Sequence, residues 1–242
     1  MTTTNQATTK HFEEHGYAIK ENIYTDNEVN AILDCIQKNE NSNLNFRKNT
    51  EIFAIRQALN EIPELKNLIF NKNLKALIQE LGSEAYFAIK SIYFDKPETS
   101  NWFVPYHQDL TISVTKRIDT ENYCNWTKKN DQVAVQPPLS VLENIFTIRI
   151  HLDDTTFENG AVKVIPHSHL QQIIPIADVT IDKSKEVVCA VPKGGVMLMK
   201  PLTLHASTRT INHQRRRVLH IEFSNLTLDN QLEWAEFCTI FE

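Results

Sequence analysis

From Tyr86 onward the sequence falls into short runs of period-two alternation divided by Pro, Asn-Gly and Gly-Gly, and this alternation limits the possible folds more than any other feature. A β-strand sends residues i and i+2 to one face. In the run after Pro105, His107, Asp109, Thr111 and Ser113 share a face, opposed by Gln108, Leu110, Ile112 and Val114. In Thr147–Asp153, Thr147, Arg149, His151 and Asp153 oppose Ile148, Ile150 and Leu152. In Arg216–Phe223, Arg216, Val218, His220 and Glu222 oppose Arg217, Leu219, Ile221 and Phe223. His205 shares a face with Thr203 and Ser207, provided the strand continues through Pro201 without a bulge. Half-exposed sandwich strands with their polar side to water would alternate in this way. So would a barrel lining a polar ligand cavity, whose inner faces would need the His, Asp, Arg and Ser found here. Alternation alone does not say which side is wet.

The first eighty residues read differently. Asp26-Asn-Glu-Val29 offers an N-cap before Val29, Ile32, Leu33 and Ile36, whose spacing gives one apolar helical face, and further helices are expected around 51–61 and 65–81. The expectation is one 242-residue domain, mainly β, with a helical preface over about 1–82 and a β core over about 83–225. Residues 116–144, polar and containing Pro137-Pro138, read as a long functional loop inserted in that core. Met1 to Lys10 reads as a polar, threonine-rich tail without an apolar targeting segment, and no stretch approaches the length of a membrane span. The hydrophobic share of 41% is that of an ordinary globular chain. A net charge of -5, with one short basic run at Arg215 to Arg217, argues against a nucleic-acid partner. Cys35, Cys124, Cys189 and Cys238 are widely separated with no CxxC, so reduced thiols and a cytoplasmic location are expected.

The chemistry concentrates at His107-Gln-Asp109, within the run Trp102–Val114, with His205 far downstream. Two imidazoles and one carboxylate on one side of a cation leave other positions open, which suits ferrous iron that must bind a co-substrate and oxygen together. An HxD pair alone is a weak pattern, so its neighbours decide. His151-Leu-Asp153 is a second HxD, but only about fifty residues separate it from His205, leaving little room for the intervening strands. His151 reads instead as a cavity-lining or satisfied core histidine. His167 and His169 read as turn residues, His213 and His220 as structural, and Lys90 and Lys96 as solvated side chains that could add charge to the pocket. Arg216 lies on the polar face and Arg217 on the apolar one, and a buried guanidinium offers a bidentate fork to a carboxylate.

With these residues in view the chain resembles the phytanoyl-CoA dioxygenase family of iron(II)- and 2-oxoglutarate-dependent oxygenases. The resemblance runs from about Phe12 to Phe223. It is carried by Phe12-Glu-Glu-His-Gly-Tyr17, His107-Gln-Asp109, Leu152-Asp-Asp154 leading to Glu158-Asn-Gly-Ala161, Val164-Ile-Pro-His-Ser-His169, Gly194-Gly-Val196, His205-Ala-Ser207 and Arg216. It implies a double-stranded β-helix, a jelly-roll of the cupin kind, with His107, Asp109 and His205 as iron ligands. It also implies that Arg216, eleven residues after His205, holds the distal carboxylate of 2-oxoglutarate with help from Ser207. The expected activity is oxygenation of a small-molecule metabolite, hydroxylation by default, with release of succinate and carbon dioxide and consumption of molecular oxygen. Related halogenases replace the carboxylate at Asp109 with a small residue, so its presence argues against halogenation. Where the family usually has Pro-Gly-Ser-His, this chain has Pro166-His-Ser-His169, and Arg149 stands where some relatives carry tryptophan.

Arg149, Thr147, His151 and Trp126 are the candidate substrate contacts. Arg149 admits three readings: a partner for 2-oxoglutarate, a structural pair with Asp153 or Glu222, or an anchor for a substrate carboxylate, with residues 116–144 closing over the cavity. The competing functional readings are a non-catalytic metal or small-molecule binding module on the same barrel, and a cupin-type enzyme that needs no oxo acid.

Overall fold

The computed structural model describes residues 2–39, 46–48, 53–82, 84–98, 103–129, 132–175, 180–229 and 231–241, so Trp102 lies outside the described residues. Helix α1 (Thr2–His15) leads into strand β1 (Tyr17–Lys20), and α2 (Asp26–Asn39) follows. Strands β2 (Phe46–Lys48) and β3 (Phe53–Arg56) precede the short helices α3 (Ala58–Glu61), α4 (Leu65–Ile69) and α5 (Lys72–Glu80). Then come β4 (Phe87–Lys96), β5 (Val104–His107), β6 (Ile112–Val114), β7 (Cys124–Lys129), β8 (Gln132–Gln136), α6 (Leu139–Asn144) and β9 (Phe146–His151). The chain closes with β10 (Val162–Val164), β11 (Val187–Cys189), β12 (Val196–Met199), β13 (His205–Ser207) and β14 (Arg216–Ser224). The major sheet has seven strands in the order β1-β12-β9-β14-β4-β3-β2, and the minor sheet four, β11-β10-β13-β5, with every pairing antiparallel. This is the expected jelly-roll with helices.

The packing settles which face is inside. Ile148, Ile150, Leu198, Leu219, Ile221 and Phe223 form one buried cluster with Val29, Ile32 and Ile36 of α2 and Leu74 and Ile78 of α5. The helices therefore cover the apolar side of the major sheet. Its other side faces the minor sheet: Met197 and Met199 pack against Val162, Val164 and Cys189. The alternating polar residues are thus turned inward, and the sandwich with its polar side to water is excluded.

Several elements differ from expectation. Helix α2 is capped by Thr25, not Asp26: the Thr25 amide and hydroxyl both donate to Glu28 Oε2 at 2.8 Å, and the Glu28 amide donates back to Thr25 Oγ1 at 3.3 Å. The span 51–61 is not one helix, because Phe53–Arg56 pairs with β4 and only Ala58–Glu61 is helical; residues 51 and 52 lie outside the described residues. The helix expected over 65–81 is two, separated at Asn71, whose side chain accepts from the Leu74 amide at 2.9 Å and starts a new N-terminus. The helical preface also supplies β1, β2 and β3 to the major sheet.

The polar N-terminal tail is helix α1, held by Phe12 in the core and by its own C-terminal carbonyls. His167 Nδ1 donates to Glu14 O at 2.8 Å and His169 Nε2 to Glu13 O at 3.1 Å. Gly16, at φ +82°, ends the helix where a Cβ would stand 2.4 Å from Thr203 Oγ1. The turn at Pro166-His167 keeps a left-handed residue although glycine is missing, since His167 itself sits at φ 63°.

The largest departure is the expected 116–144 loop. It folds into β7, β8 and α6, and β6, β8 and β7 form a third sheet. Its small apolar core holds Ile112, Val114, Tyr123 and Val135, with Trp126 packed against it. The polar outer positions of β7 made this hairpin look like loop sequence. Among the described residues no helix is long and apolar enough to cross a membrane.

Candidate metal and co-substrate site

Between the two sheets lies a cavity of about 180 Å³, lined by His107, Asp109, His205, Ser207, Arg216 and Arg149, and also by Lys90, Lys96, His220 and Glu222. Strands β5 and β13 place His107 and His205 directly opposite one another, with ring centroids 4.2 Å apart. Each imidazole is fixed from behind: His107 Nδ1 donates to Pro105 O and His205 Nδ1 to Thr203 O, both at 2.9 Å. That bond places the proton on Nδ1 and leaves Nε2 of each ring as a lone-pair donor to the cavity. Asp109 Oδ1 lies 3.7 Å from His107 Nε2, and its Oδ2 lies 3.6 Å from His205 Nε2. One ligand atom from each of the three residues falls within 4.8 Å of the others, the only such grouping of His, Cys, Asp or Glu among the described residues. Three donors converging on one point, two of them locked in the ligating tautomer, fit a divalent iron ion.

The strand expected through Val114 breaks after His107. Asp109 reaches the site because its amide donates to Pro201 O at 2.9 Å, and Gln108 pins the turn between them. Gln108 Nε2 donates to Leu202 O at 2.6 Å and Gln172 O at 2.7 Å, while its Oε1 accepts from the Ile174 amide at 2.8 Å. The middle residue of the motif is thus a buried clamp.

Electrostatics match a site that awaits charge. Burial pushes the Asp109 carboxyl up, but His205, His220, Lys90 and His107 outweigh it and hold it at about 2. Burial pulls His205 down to about 4, so its ring is a neutral ligand near neutral pH. Arg216, 6% exposed, has its pKa pulled down to about 9 by burial and by Arg149, and no hydrogen-bonding or ionic partner among the described residues reaches it. Lys96 lies opposite it on β4 and donates to Thr208 O at 3.0 Å; burial and Arg216 bring its pKa down to about 8. A buried arginine left without an anion is costly in isolation, and a dicarboxylate co-substrate would relieve it.

Of the candidate substrate residues, only Arg149 lines the cavity. Thr147 and His151 are buried on the same side of β9, yet His151 Nδ1 bonds Thr155 Oγ1 at 2.7 Å and stays outside the cavity wall. Trp126 belongs to the third sheet and stacks on the Arg117 guanidinium at 5.7 Å. Asp153 is occupied by Arg217, whose Nε and Nη2 donate to its two oxygens at 2.8 and 2.6 Å, so His151-Leu-Asp153 is no ligand pair and Arg149 has no partner in Asp153. Strand β13 begins at His205, and Thr203 instead donates to Gly16 O at 2.9 Å. Lys90 and Lys96 are not solvated, and His220 is not merely structural: all three face the cavity. Parity carried a signal for His220 but none for the two lysines. Lys90 and Lys96 share the face of Ile92 and Phe94 on β4, and His220 shares that of Arg216.

A two-histidine, one-carboxylate face in a jelly-roll belongs to the class of non-haem iron oxygenases. The comparisons with known proteins narrow this. The sequence pattern of the phytanoyl-CoA dioxygenase (PhyH) family matches residues 12–218, and the chain belongs to that family. Membership makes it an iron- and 2-oxoglutarate-dependent oxygenase. Among curated proteins none matches significantly in sequence. The fold is shared with solved structures, among them the non-haem alpha-ketoglutarate-dependent epimerase SnoN from nogalamycin biosynthesis (TM-score 0.68, 14% identity, 91% of this chain and 83% of that one). Another is the carbocyclase SnoK from the same biosynthesis (TM-score 0.63, 17% identity, 90% and 83%). A third is EvdO2 from Micromonospora carbonacea var. aurantiaca complexed with 2-oxoglutarate (TM-score 0.63, 16% identity, 93% and 92%).

Proposed function

We propose that His107, Asp109 and His205 hold iron(II), that Arg216 with Ser207 holds the distal carboxylate of 2-oxoglutarate, and that the chain hydroxylates a small-molecule metabolite. The observation that carries this reading is an unpartnered buried guanidinium in the same cavity as the convergent triad. Bound iron and 2-oxoglutarate supply the oxidising power with molecular oxygen, releasing succinate and carbon dioxide. The chain's own residues do the rest. The carbonyls of Pro105 and Thr203 keep both Nε2 atoms unprotonated, Asp109 supplies the anionic ligand, and Arg216 orients the co-substrate by a fork of hydrogen bonds. The enclosing sheets exclude water while the reactive species exists.

A binding module without catalysis would have no use for both an open-sided triad and an arginine reserved for a dicarboxylate, and a cupin-type enzyme without an oxo acid would leave Arg216 unexplained. Four cysteines, none of them joined in a disulfide, support a reducing, cytoplasmic setting. The neighbours include an epimerase and a carbocyclase, so the product distinguishes outcomes. The test is iron-dependent succinate formation stimulated by candidate metabolites, with mass analysis of the product. Gain of one oxygen atom is expected. Succinate formation that does not need iron would sink the reading, and an unchanged mass or loss of two hydrogens would replace hydroxylation by epimerisation or by ring closure or desaturation.

A further inference from the structure

Two guanidinium groups face the cavity, and Arg216 accounts for only one carboxylate. Arg149 sits on β9, flanked by β12 and β14, so the part of its side chain that remains accessible opens into the cavity. It has no carboxylate partner among the described residues. Its Nη1 lies 3.1 Å from His220 Nδ1, and because an arginine only donates, His220 Nδ1 accepts. His220 Nε2 then carries the proton and donates to Glu222 Oε1 at 3.1 Å, which also accepts from Lys90 Nζ at 2.8 Å. These bonds tie β9, β14 and β4 together behind Arg149 without neutralising it, since Lys90 and Glu222 cancel one another and His220 is neutral.

The cavity's charges decide what Arg149 is for. Asp95 is bound by Arg215. On the reading above, the two charges of iron(II) and that of Arg216 are balanced by Asp109 and the two carboxylates of 2-oxoglutarate. Lys96, opposite Arg216 on β4, adds a further positive charge at that end and no anion that could satisfy Arg149. Arg149 is left as a buried cation without its anion. Its backbone position differs from that of Arg216, although the two guanidinium charges still repel one another. It pairs with His220, four residues along β14 from Arg216, about 13 Å at the rise of an extended strand. It shares the cavity wall with His107, Asp109 and His205, where the carbon to be oxidised must sit.

We propose that Arg149 anchors a carboxylate of the primary substrate, positioned by the buried chain through His220 and Glu222 to Lys90, and that the enzyme acts on small carboxylate-bearing metabolites. This rests on the iron and 2-oxoglutarate reading. The substrate's carboxylate supplies the anion that Arg149 lacks when the co-substrate is held by Arg216. A guanidinium fork selects a planar carboxylate over a neutral amide of the same shape.

Calorimetry under nitrogen tests it, with iron-loaded protein titrated first with 2-oxoglutarate and then with acetate or its neutral isostere acetamide. The wild type is expected to take up 2-oxoglutarate, then to bind acetate in roughly the millimolar range and acetamide at least about tenfold more weakly. Arg149→Gln is expected to weaken acetate by about tenfold or more while 2-oxoglutarate affinity stays within about threefold. His220→Leu should weaken acetate similarly, and His220→Gln, which can still accept from Arg149 and donate to Glu222, should restore it. Equal binding of acetate and acetamide, or acetate binding indifferent to Arg149→Gln, overturns the proposal. Loss of 2-oxoglutarate affinity in Arg149→Gln also overturns it, by giving Arg149 to the co-substrate. Failure of the wild type to bind 2-oxoglutarate sinks the underlying reading instead, and this inference with it.

Discussion

Replacing Arg216 by methionine should have two opposite effects in one molecule. Without co-substrate the guanidinium is an unpaired buried charge whose pKa is pulled from its ordinary value down to about 9 by burial and Arg149, on the order of 4–5 kcal/mol against the charged form. For a base whose folded pKa is depressed, that penalty is fully present below about pH 9 and is released only above it. Methionine fills similar volume without charge, so the apo protein should gain stability. Recovering even about 2 kcal/mol would raise the melting temperature by roughly 4–8 °C in a chain of this size. With 2-oxoglutarate the sign reverses, because removing one partner of a buried ion pair costs about 3–5 kcal/mol, or about a hundredfold to several thousandfold in affinity. Arg217→Ala should do the opposite: it breaks the two bonds to half-buried Asp153, destabilises by about 1–3 kcal/mol, and leaves 2-oxoglutarate affinity unchanged. Thermal melts of the apo proteins and calorimetric titration of 2-oxoglutarate into the iron-loaded proteins read both quantities. Affinity within threefold of wild type in Arg216→Met, or a co-substrate defect that follows Arg217 instead, would refute the assignment.

Two further outcomes follow from residues away from the iron. Burial pushes the Glu236 carboxyl from 4.5 up to about 7, against the Ser91 hydroxyl and the backbone amides of residues 59, 60 and 91, which favour the charged form. The folded state then holds a proton the unfolded state releases, so wild-type stability should fall relative to Glu236→Gln by on the order of 3 kcal/mol as pH rises from about 4.5 to about 7; a difference in unfolding free energy that does not vary with pH contradicts it. Trp126→Ala should cost about 1–3 kcal/mol in denaturant unfolding by loosening the third sheet, with succinate formation at saturating co-substrate unchanged; a stable variant with impaired turnover would return Trp126 to the active site.

The inward faces of β9 and β14 were legible from alternation because each strand runs straight and its apolar back is unbroken, as Ile148, Ile150, Leu219 and Ile221 show. What alternation could not supply was the side on which the helices pack, which decides that Arg149 and His220 face a cavity and not solvent. Lys90 and Lys96 were missed because Ile92 and Phe94 share their face, and a mixed face gives no clean period. The pairing of His107 with His205 depends on the register of strands distant in sequence, and Asp109 joins them only through a turn held by Gln108, so the ligand set rested on the family resemblance more than on parity. The hairpin of β7 and β8 was hidden because one face is solvated and Asn125 lies at φ 53° beside a bulge, leaving too few apolar positions to read as strand.

The central claim is that His107, Asp109 and His205 form the iron site. The most direct measurement is iron(II) stoichiometry of the wild type and of His107→Ala, Asp109→Ala and His205→Ala, prepared under nitrogen with folding checked by circular dichroism. The account predicts about one iron per wild-type chain and loss of most of it in each folded variant, because these side chains supply nearly all of the protein's coordination. Full iron occupancy in any one of the three variants would contradict it.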